Sequence, residues 1–421
     1  GLESVYVHLN NDSPGTDDGA GGPEWAYAPG IREGVRVERG QWIGYVGDSG
    51  NAESTGSHLH FELHDPELDD PCLDGYRNPT WMNPYPSLVG AWDRGDVPEP
   101  PAGDVTRLAG SNRVLTSVVI ARRFDPGVRA VIVVPEGSHA EALVAAPLAG
   151  LLDAPILLAG TAGPSEEALA EIRRLGAGNA YVLGREDQLA PATEALLREA
   201  GVANVARIAE PDPFALSARV AEEVRSYSEA PKLERVFLAV GDHPEPSRAW
   251  PDALSAGALA ALTKAPVLLT RSGELPEAVR DALRDLAPPL VQVIGGPGAV
   301  ADGVEAAARE AAGGQSARLA GSNRFATSVA VADEAVRLGL SAPRAWLATG
   351  HAFPDALAAG PAAAREGAAL ILVDGREPGG APEPEEWLRG RGVSDAIAVG
   401  GHAAITEEVR LHLARVLTER H

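Results

Sequence analysis

Arg107-Leu-Ala-Gly-Ser-Asn-Arg113 is repeated letter for letter as Arg318-Leu-Ala-Gly-Ser-Asn-Arg324, and both copies continue x-x-Thr-Ser-Val. Internal duplication on this scale has to be read before length or composition means anything. A third, more divergent copy lies between them at Arg207-Ile-Ala-Glu-Pro-Asp-Pro213. The same landmarks follow each copy in the same order. There is an apolar run (Val131 to Val134, Val236 to Val240, Ala345 to Ala348), then Pro251-Asp-Ala-Leu254 or Pro354-Asp-Ala-Leu357, answered in the first copy by His139-Ala-Glu-Ala-Leu143. A second apolar run comes next (Ala154-Pro-Ile-Leu-Leu158, Ala265-Pro-Val-Leu-Leu269, Ala368-Ala-Leu-Ile-Leu372). A third ends in glycine at Gly184, Gly295-Gly296 and Gly400-Gly401.

Short runs of Val, Ile and Leu alternate with Ala-, Glu- and Arg-rich stretches of helical period, such as Ser165 to Leu175 and Leu275 to Leu286. That alternation is the signature of βαβ units around a parallel sheet. The runs are apolar throughout, as strands covered by helices on both faces require. The expected architecture is multidomain: three tandem doubly wound α/β repeats of Rossmann or flavodoxin type behind a short all-β segment. The boundaries read as residues 1–92 for the β segment, 93–104 for a linker, and 105–202, 203–314 and 315–421 for the repeats.

Composition supports the first boundary. Ten of the 20 aromatic residues fall within residues 1–92, and Asp93 to Asp104 is acidic, proline-rich and without apolar periodicity. The formal net charge of −23 excludes a nucleic-acid binder, which needs a basic stripe to neutralise phosphates. Lysine occurs only at Lys232 and Lys264, so arginine carries nearly all positive charge, in a form suited to directional anion contacts. Cys72 stands alone, which rules out an intrachain disulfide and a cysteine-based metal site. No apolar stretch reaches membrane-spanning length, and no signal peptide opens the chain at Gly1.

Chemistry concentrates in the β segment. Ser57-His-Leu-His-Phe-Glu-Leu63 reads as a strand whose alternation places His58, His60 and Glu62 on one face. Val5-Tyr-Val-His-Leu9 reads as another strand carrying His8, and Val35 to Gly47 as glycine-punctuated β-structure. Together Tyr6-x-His8-Leu9, Gly34-x-x-Val37-x-x-Gly40-Gln-x-Ile-Gly-x-x-Gly47, Ser49-Gly-Asn51 and His58-Leu-His60-Phe-Glu-Leu63 resemble the C-terminal half of the lysostaphin-like zinc endopeptidases, which cut peptide cross-links in peptidoglycan. The resemblance implies Zn2+ as cofactor and His60 as a zinc ligand. It implies that His8 and His58 flank the metal-bound water, taking its proton while zinc polarises the carbonyl. The family's other two ligands belong to an H-x-x-x-D phrase upstream of the Y-x-H-L strand, and this chain begins seven residues before His8. A catalytic zinc needs three protein ligands, so the chain as it stands is expected neither to retain zinc nor to cleave.

The repeats resemble the cell-wall-binding repeats found in threes on surface and secreted proteins of Gram-positive bacteria. Arg107-x-x-Gly110-x-x-Arg113-x-x-Thr116, Arg318-x-x-Gly321-x-x-Arg324-x-x-Thr327 and the Pro-Asp-Ala-Leu phrases with Asp252 and Asp355 carry the resemblance. It implies pseudo-threefold packing, an extracellular cell-wall location, and peptidoglycan and an anionic wall polysaccharide as partners. Those eight side chains are the candidate polymer contacts. The middle copy has Glu210 and Pro213 where the others have Gly and Arg, so one of three equivalent sites is expected to be lost.

Two readings of the arginines stand side by side. Ser111-Asn112 and Ser322-Asn323 are good N-cap types, Pro251 and Pro354 sit where a first helical turn would begin, and an arginine beside such an N-terminus suits a phosphate or uronate. Alternatively, Arg113 and Arg324 pair with Asp252 and Asp355 across the repeat interfaces and hold the trimer together. Function divides likewise between a wall-anchored peptidoglycan hydrolase and a non-enzymatic wall-binding or surface-layer protein with a relic peptidase segment. A small-molecule enzyme on the α/β repeats is disfavoured, because no phosphate loop, Gly-x-Gly-x-x-Gly or nucleophile elbow occurs.

Overall fold

The computed structural model describes residues 3–7, 9, 26–28, 31–37, 43–47, 60–64, 81–82, 105–227, 233–243, 245, 250–340, 344–352 and 356–418. It divides into two units, Gly1–Glu99 and Pro100–His421.

In the first unit, β1 (Glu3–Val7) pairs antiparallel with β2 (His60–His64), which pairs in turn with β3 (Trp81–Met82). The register sets Val7 opposite His60 and Val5 opposite Glu62. Isolated bridges join Leu9 to Val46 and Tyr27 to Gly44. The β-structure expected over Val35 to Gly47 is confined, among the described residues, to those bridges, and Val35 to Val37 lie outside any strand.

The second unit holds three four-stranded parallel sheets. Along the chain come β4 (Val105–Leu108), β5 (Ala130–Pro135), β6 (Ile156–Ala159), β7 (Asn179–Leu183), β8 (Asn204–Ile208), β9 (Val236–Asp242), β10 (Val267–Arg271), β11 (Leu290–Ile294), β12 (Gln315–Leu319), β13 (Arg344–Thr349), β14 (Ala369–Val373) and β15 (Asp395–Val399). Their orders are β6-β5-β7-β8, β10-β9-β11-β12 and β14-β13-β15-β4. The central strands β5 and β13 are buried almost end to end, consistent with helices on both faces.

The sequence repeat and the sheet are offset by one strand. The strand that opens each repeat lies not with the strands that follow it but at the edge of the preceding sheet. β8 of repeat two completes sheet one, β12 of repeat three completes sheet two, and β4 of repeat one completes sheet three. The repeats therefore close into a ring with pseudo-threefold symmetry.

Three helices line the inside of that ring: His139–Leu152, Pro251–Thr263 and Ala359–Arg365. In the first, every residue from Ala140 to Ala149 is buried, the mark of a helix enclosed on all sides. Small residues set the spacing between backbones. A Cβ on Gly150 would stand 2.2 Å from the Ala261 carbonyl oxygen, and one on Gly360 would stand 2.8 Å from the Gly257 carbonyl carbon.

Helix starts follow local chemistry. The Asn112 and Asn323 side chains accept from the N–H of Leu115 and Ala326 at 2.9 Å each. Asp212 caps the divergent repeat through Phe214 and Ala215 N–H, so the loss of the Gly and Arg letters leaves the cap in place.

Candidate functional site

Ligands on open parallel sheets settle at the carboxyl ends of strands where chain order reverses. Here that point lies between β5 and β7, between β9 and β11, and between β13 and β15. Beside each, the next repeat's opening strand pairs with β7, β11 or β15, giving three related inter-repeat joints, each a crevice by its place at the strand ends.

The opening arginines face inward at these joints. Arg107, Arg207 and Arg318 donate to the carbonyls of Gly400, Gly184 and Gly295 at 2.9, 2.9 and 2.7 Å. Those glycines close the loop by donating their own N–H to Leu108, Ile208 and Leu319 carbonyls at 2.9, 3.0 and 2.8 Å. Their φ angles of +98°, +141° and +101° explain why the position is glycine. Arg207 grips Glu194 with two nitrogens, at 2.6 and 2.8 Å, and Arg318 grips Glu305 at 3.1 and 2.6 Å. Arg107 has instead a single bond to Glu407 at 3.2 Å. Burial pushes the Glu407 carboxyl up, and hydrogen bonds and charge from Arg410 and Arg107 outweigh it, holding the group below the usual carboxylate range. Arg107 and Arg318 thus bind the edge strands of the ring.

The crevice between repeats two and three is the most fully described. Asp252, in the first turn of its helix, packs beside Gly295, where a Cβ would come within 2.6 Å of its Oδ2. Burial pushes its carboxyl above the ordinary range, against the Thr327 hydroxyl hydrogen bond and the charge of Arg324. Thr327 Oγ1 also accepts the Gly321 N–H at 3.1 Å. Arg324 donates to the Gly350 carbonyl at 2.6 Å and lies over the Trp250 ring, 5.8 Å from its centroid. Arg324, Thr327 and Asp252 are therefore brought together as the sequence suggested, in an arrangement that links two repeats.

Between repeats one and two the chemistry differs. Glu141 occupies the place of Asp252 and is 4% exposed. It accepts hydrogen bonds from Ser138 Oγ and from Gln188 Nε2, the latter at 2.7 Å. Leu216 stands where threonine stands in the other two repeats, and Pro213 where arginine does. His139 bonds to the Gly241 backbone, and burial lowers its imidazole pKa.

At the third crevice, between repeats three and one, Thr116 Oγ1 accepts the Gly110 N–H at 3.1 Å and donates to the Asn112 carbonyl. Arg113 is exposed and has no hydrogen-bond or ion-pair partner among the described residues. Asp355 lies outside the described residues.

Sequence reasoning overlooked one threefold set. Ser117, Ser217 and Ser328 are buried and follow the Thr or Leu position directly. Each accepts an N–H from the edge strand of its own sheet, Leu158, Leu269 and Leu372, at 2.9, 3.0 and 3.1 Å. Each donates back to a carbonyl three residues earlier. The signal was present as the invariant Ser in Thr-Ser, Leu-Ser and Thr-Ser.

Of the peptidase-like candidates, His8 and His58 lie outside the described residues, and His60 opens β2 opposite Val7. Among the described residues no group of three His, Cys, Asp or Glu side chains is placed to hold a metal.

Comparison with known proteins fits this division. The family described as Cell wall binding domain 2 (CWB2) matches residues 107–194, 207–305 and 318–410, well over half of the chain. The chain belongs to that family. Peptidase family M23 matches residues 26–71, a span that includes His58 and His60. N-acetylmuramoyl-L-alanine amidase LytC of Bacillus subtilis (strain 168) is 24% identical over 305 residues, 72% of this chain and 57% of the relative. The Amidase enhancer of the same organism is 26% identical over 267 residues, covering 63% and 34%. The chain thus spans little more than half of the first relative and about a third of the second. Among solved structures, Cwp6 from Clostridium difficile superposes with a TM-score of 0.65 at 21% identity, covering 77% of this chain and 50% of that one. Cwp8 from the same organism gives 0.62 at 26%, covering 79% and 54%. This is a cell-wall-associated protein, and among the described residues no helix is long and apolar enough to cross a membrane.

Proposed function

We propose that the ring of repeats holds the protein on an anionic secondary polymer of the cell wall, and that the M23-like segment belongs to a zinc peptidoglycan endopeptidase delivered there. One observation carries the reading: a match to M23 at residues 26–71 and three CWB2 repeats occur in one chain. Anion recognition on a chain of net charge −23 has to be local, because net charge governs approach and close contacts govern affinity. Arg113 supplies such a contact, exposed at the first position of the helix Arg113–Ala121, beside the positive end of its dipole. The candidate contacts Arg107, Arg318, Arg324, Thr116, Thr327 and Asp252 then act chiefly by shaping the joints that present it.

In the peptidase, His60 would ligate zinc with His8 and His58 beside the bound water, and the metal would polarise the scissile carbonyl. Sedimentation with purified walls, before and after the phosphodiester-linked polymer is stripped with hydrofluoric acid, tests the anchor. Loss of binding after stripping supports it, and undiminished binding to stripped walls overturns it. Zinc stoichiometry of the dialysed protein, with His60→Ala as control, tests the peptidase. About one zinc that is lost in the control would mean a working ligand set that includes His60, zinc retained equally by both would remove His60 from the metal site, and no zinc in either would leave this chain as an anchor carrying half a peptidase.

A further inference from the structure

The three joints of the ring are not equally made. β8 follows the helix Ala192–Glu199 and β12 follows the helix Asp302–Ala312 after short turns, so covalent continuity delivers both strands to their sheets. β4 reaches β15 from the far end of the chain, some 290 residues away, and the ring is closed there by non-covalent contact alone. The seam is four residues long, pairing Val105, Thr106, Arg107 and Leu108 with Ala396, Ile397, Ala398 and Val399.

It is also the least satisfied joint. Arg107 has one hydrogen bond to its carboxylate where Arg207 and Arg318 have two each. Among the described residues Thr106 Oγ1 is buried without a hydrogen-bond partner, whereas the corresponding residues of β8 and β12 are Ala206 and Ala317. Arg410 compensates in part by donating to the Val105 carbonyl at 2.7 Å. Upstream of β4, Asp93 to Asp104 has the composition of a linker.

We propose that β4 exchanges reciprocally between two copies of this chain, each docking its β4 on the β15 of the other, to give a two-fold dimer that carries two binding rings. The docked strand makes the same contacts in either arrangement, so the balance between them is set by concentration. A dimer of rings on a repetitive polymer gains avidity without any new polymer contact.

The test uses the full chain. Two differently tagged copies are mixed at high concentration, one tag is captured, and the eluate is probed for the other. Mixed dimers are expected, and they form more slowly with Thr106→Val, which removes the buried hydroxyl and tightens the seam that must open before strands can exchange. A Val105→Cys, Ala396→Cys protein in a Cys72→Ser background is then oxidised as a dimer. Exchange predicts chains linked to each other on a non-reducing gel. Failure of mixed dimers to form, or mixed dimers whose disulfides close within one chain, overturns the proposal.

Discussion

Arg107 donates to the carbonyl of Gly400, 293 residues further along the chain, at 2.9 Å, and so fastens the first strand of the ring to the last sheet. Its side chain is 15% exposed, while Arg113, six residues on, is open to solvent. The two should separate cleanly. Arg107→Ala is expected to cost about 1.5–3 kcal/mol, the range for hydrogen bonds to charged groups, seen as a lowered midpoint in denaturant. Arg113→Ala is expected to leave that midpoint unchanged and to weaken wall sedimentation. The opposite pattern would transfer the polymer contact to Arg107.

Asp252 offers a pH test. Its folded pKa is raised, chiefly by burial, so its favourable contribution is full below its unfolded pKa and is lost as pH rises through the folded value. Once ionised, the carboxylate sits at a cost that Arg324 and Thr327 only partly offset. Asp252→Asn keeps an acceptor for the Thr327 hydroxyl and removes the charge. The melting temperature at pH 7 should stay level or rise by a few degrees, and the gain should vanish in acid. A clear fall at pH 7 would mean that the Asp252 carboxylate with Arg324 is a net stabilising pair.

Glu334 behaves in the opposite sense. Hydrogen bonds from Arg337 foremost, then from Gln292 and Arg235, hold its carboxyl down to about 2 against the penalty of burial. Its stabilisation is full above the unfolded carboxylate pKa and is lost as pH falls through about 2. Arg337 is 63% exposed and screened by solvent, so Arg235 and Gln292 matter more than the first contact suggests. Glu334→Gln should cost about 1.5–3 kcal/mol at pH 7 and flatten the acid limb of the stability curve. An unaltered acid limb would count against the network.

Ser217 is fully buried, and its loss would orphan the Leu269 N–H on an edge strand. Ser217→Ala should cost about 1–3 kcal/mol, with similar values for Ser117→Ala and Ser328→Ala. Hydrogen exchange at the Leu158, Leu269 and Leu372 amides reads the effect directly. Equal exchange in wild type and variants would show that the serine bond adds no protection.

Most of the α/β architecture was legible because its signals are local. Unbroken apolar runs marked β5, β9 and β13, Pro251 marked a helix start, and Ser111-Asn112 and Ser322-Asn323 marked caps to within a residue. The strand offset was not legible. Arg107 to Leu108 and Arg318 to Leu319 open their repeats in sequence, and no local feature tells an edge strand which sheet to join. The partners of the opening arginines were equally hidden: Glu194, Glu305 and Glu407, which hold Arg207, Arg318 and Arg107, come from the fourth helix of the preceding repeat around the ring, whereas Arg324 does lie near Asp252 of the Pro-Asp-Ala-Leu phrase.

The one-strand offset bears on how such a chain can be copied and cut. A gene segment encoding residues 105–202 alone would yield β5, β6 and β7 without β8, and β4 without β15. Excising the middle repeat would join Gly184 and Glu194 to an incoming Arg318, a chemically matched splice, but would leave two sheets to span the angle of three. Loss of a single repeat is therefore expected to open the ring rather than to shorten it.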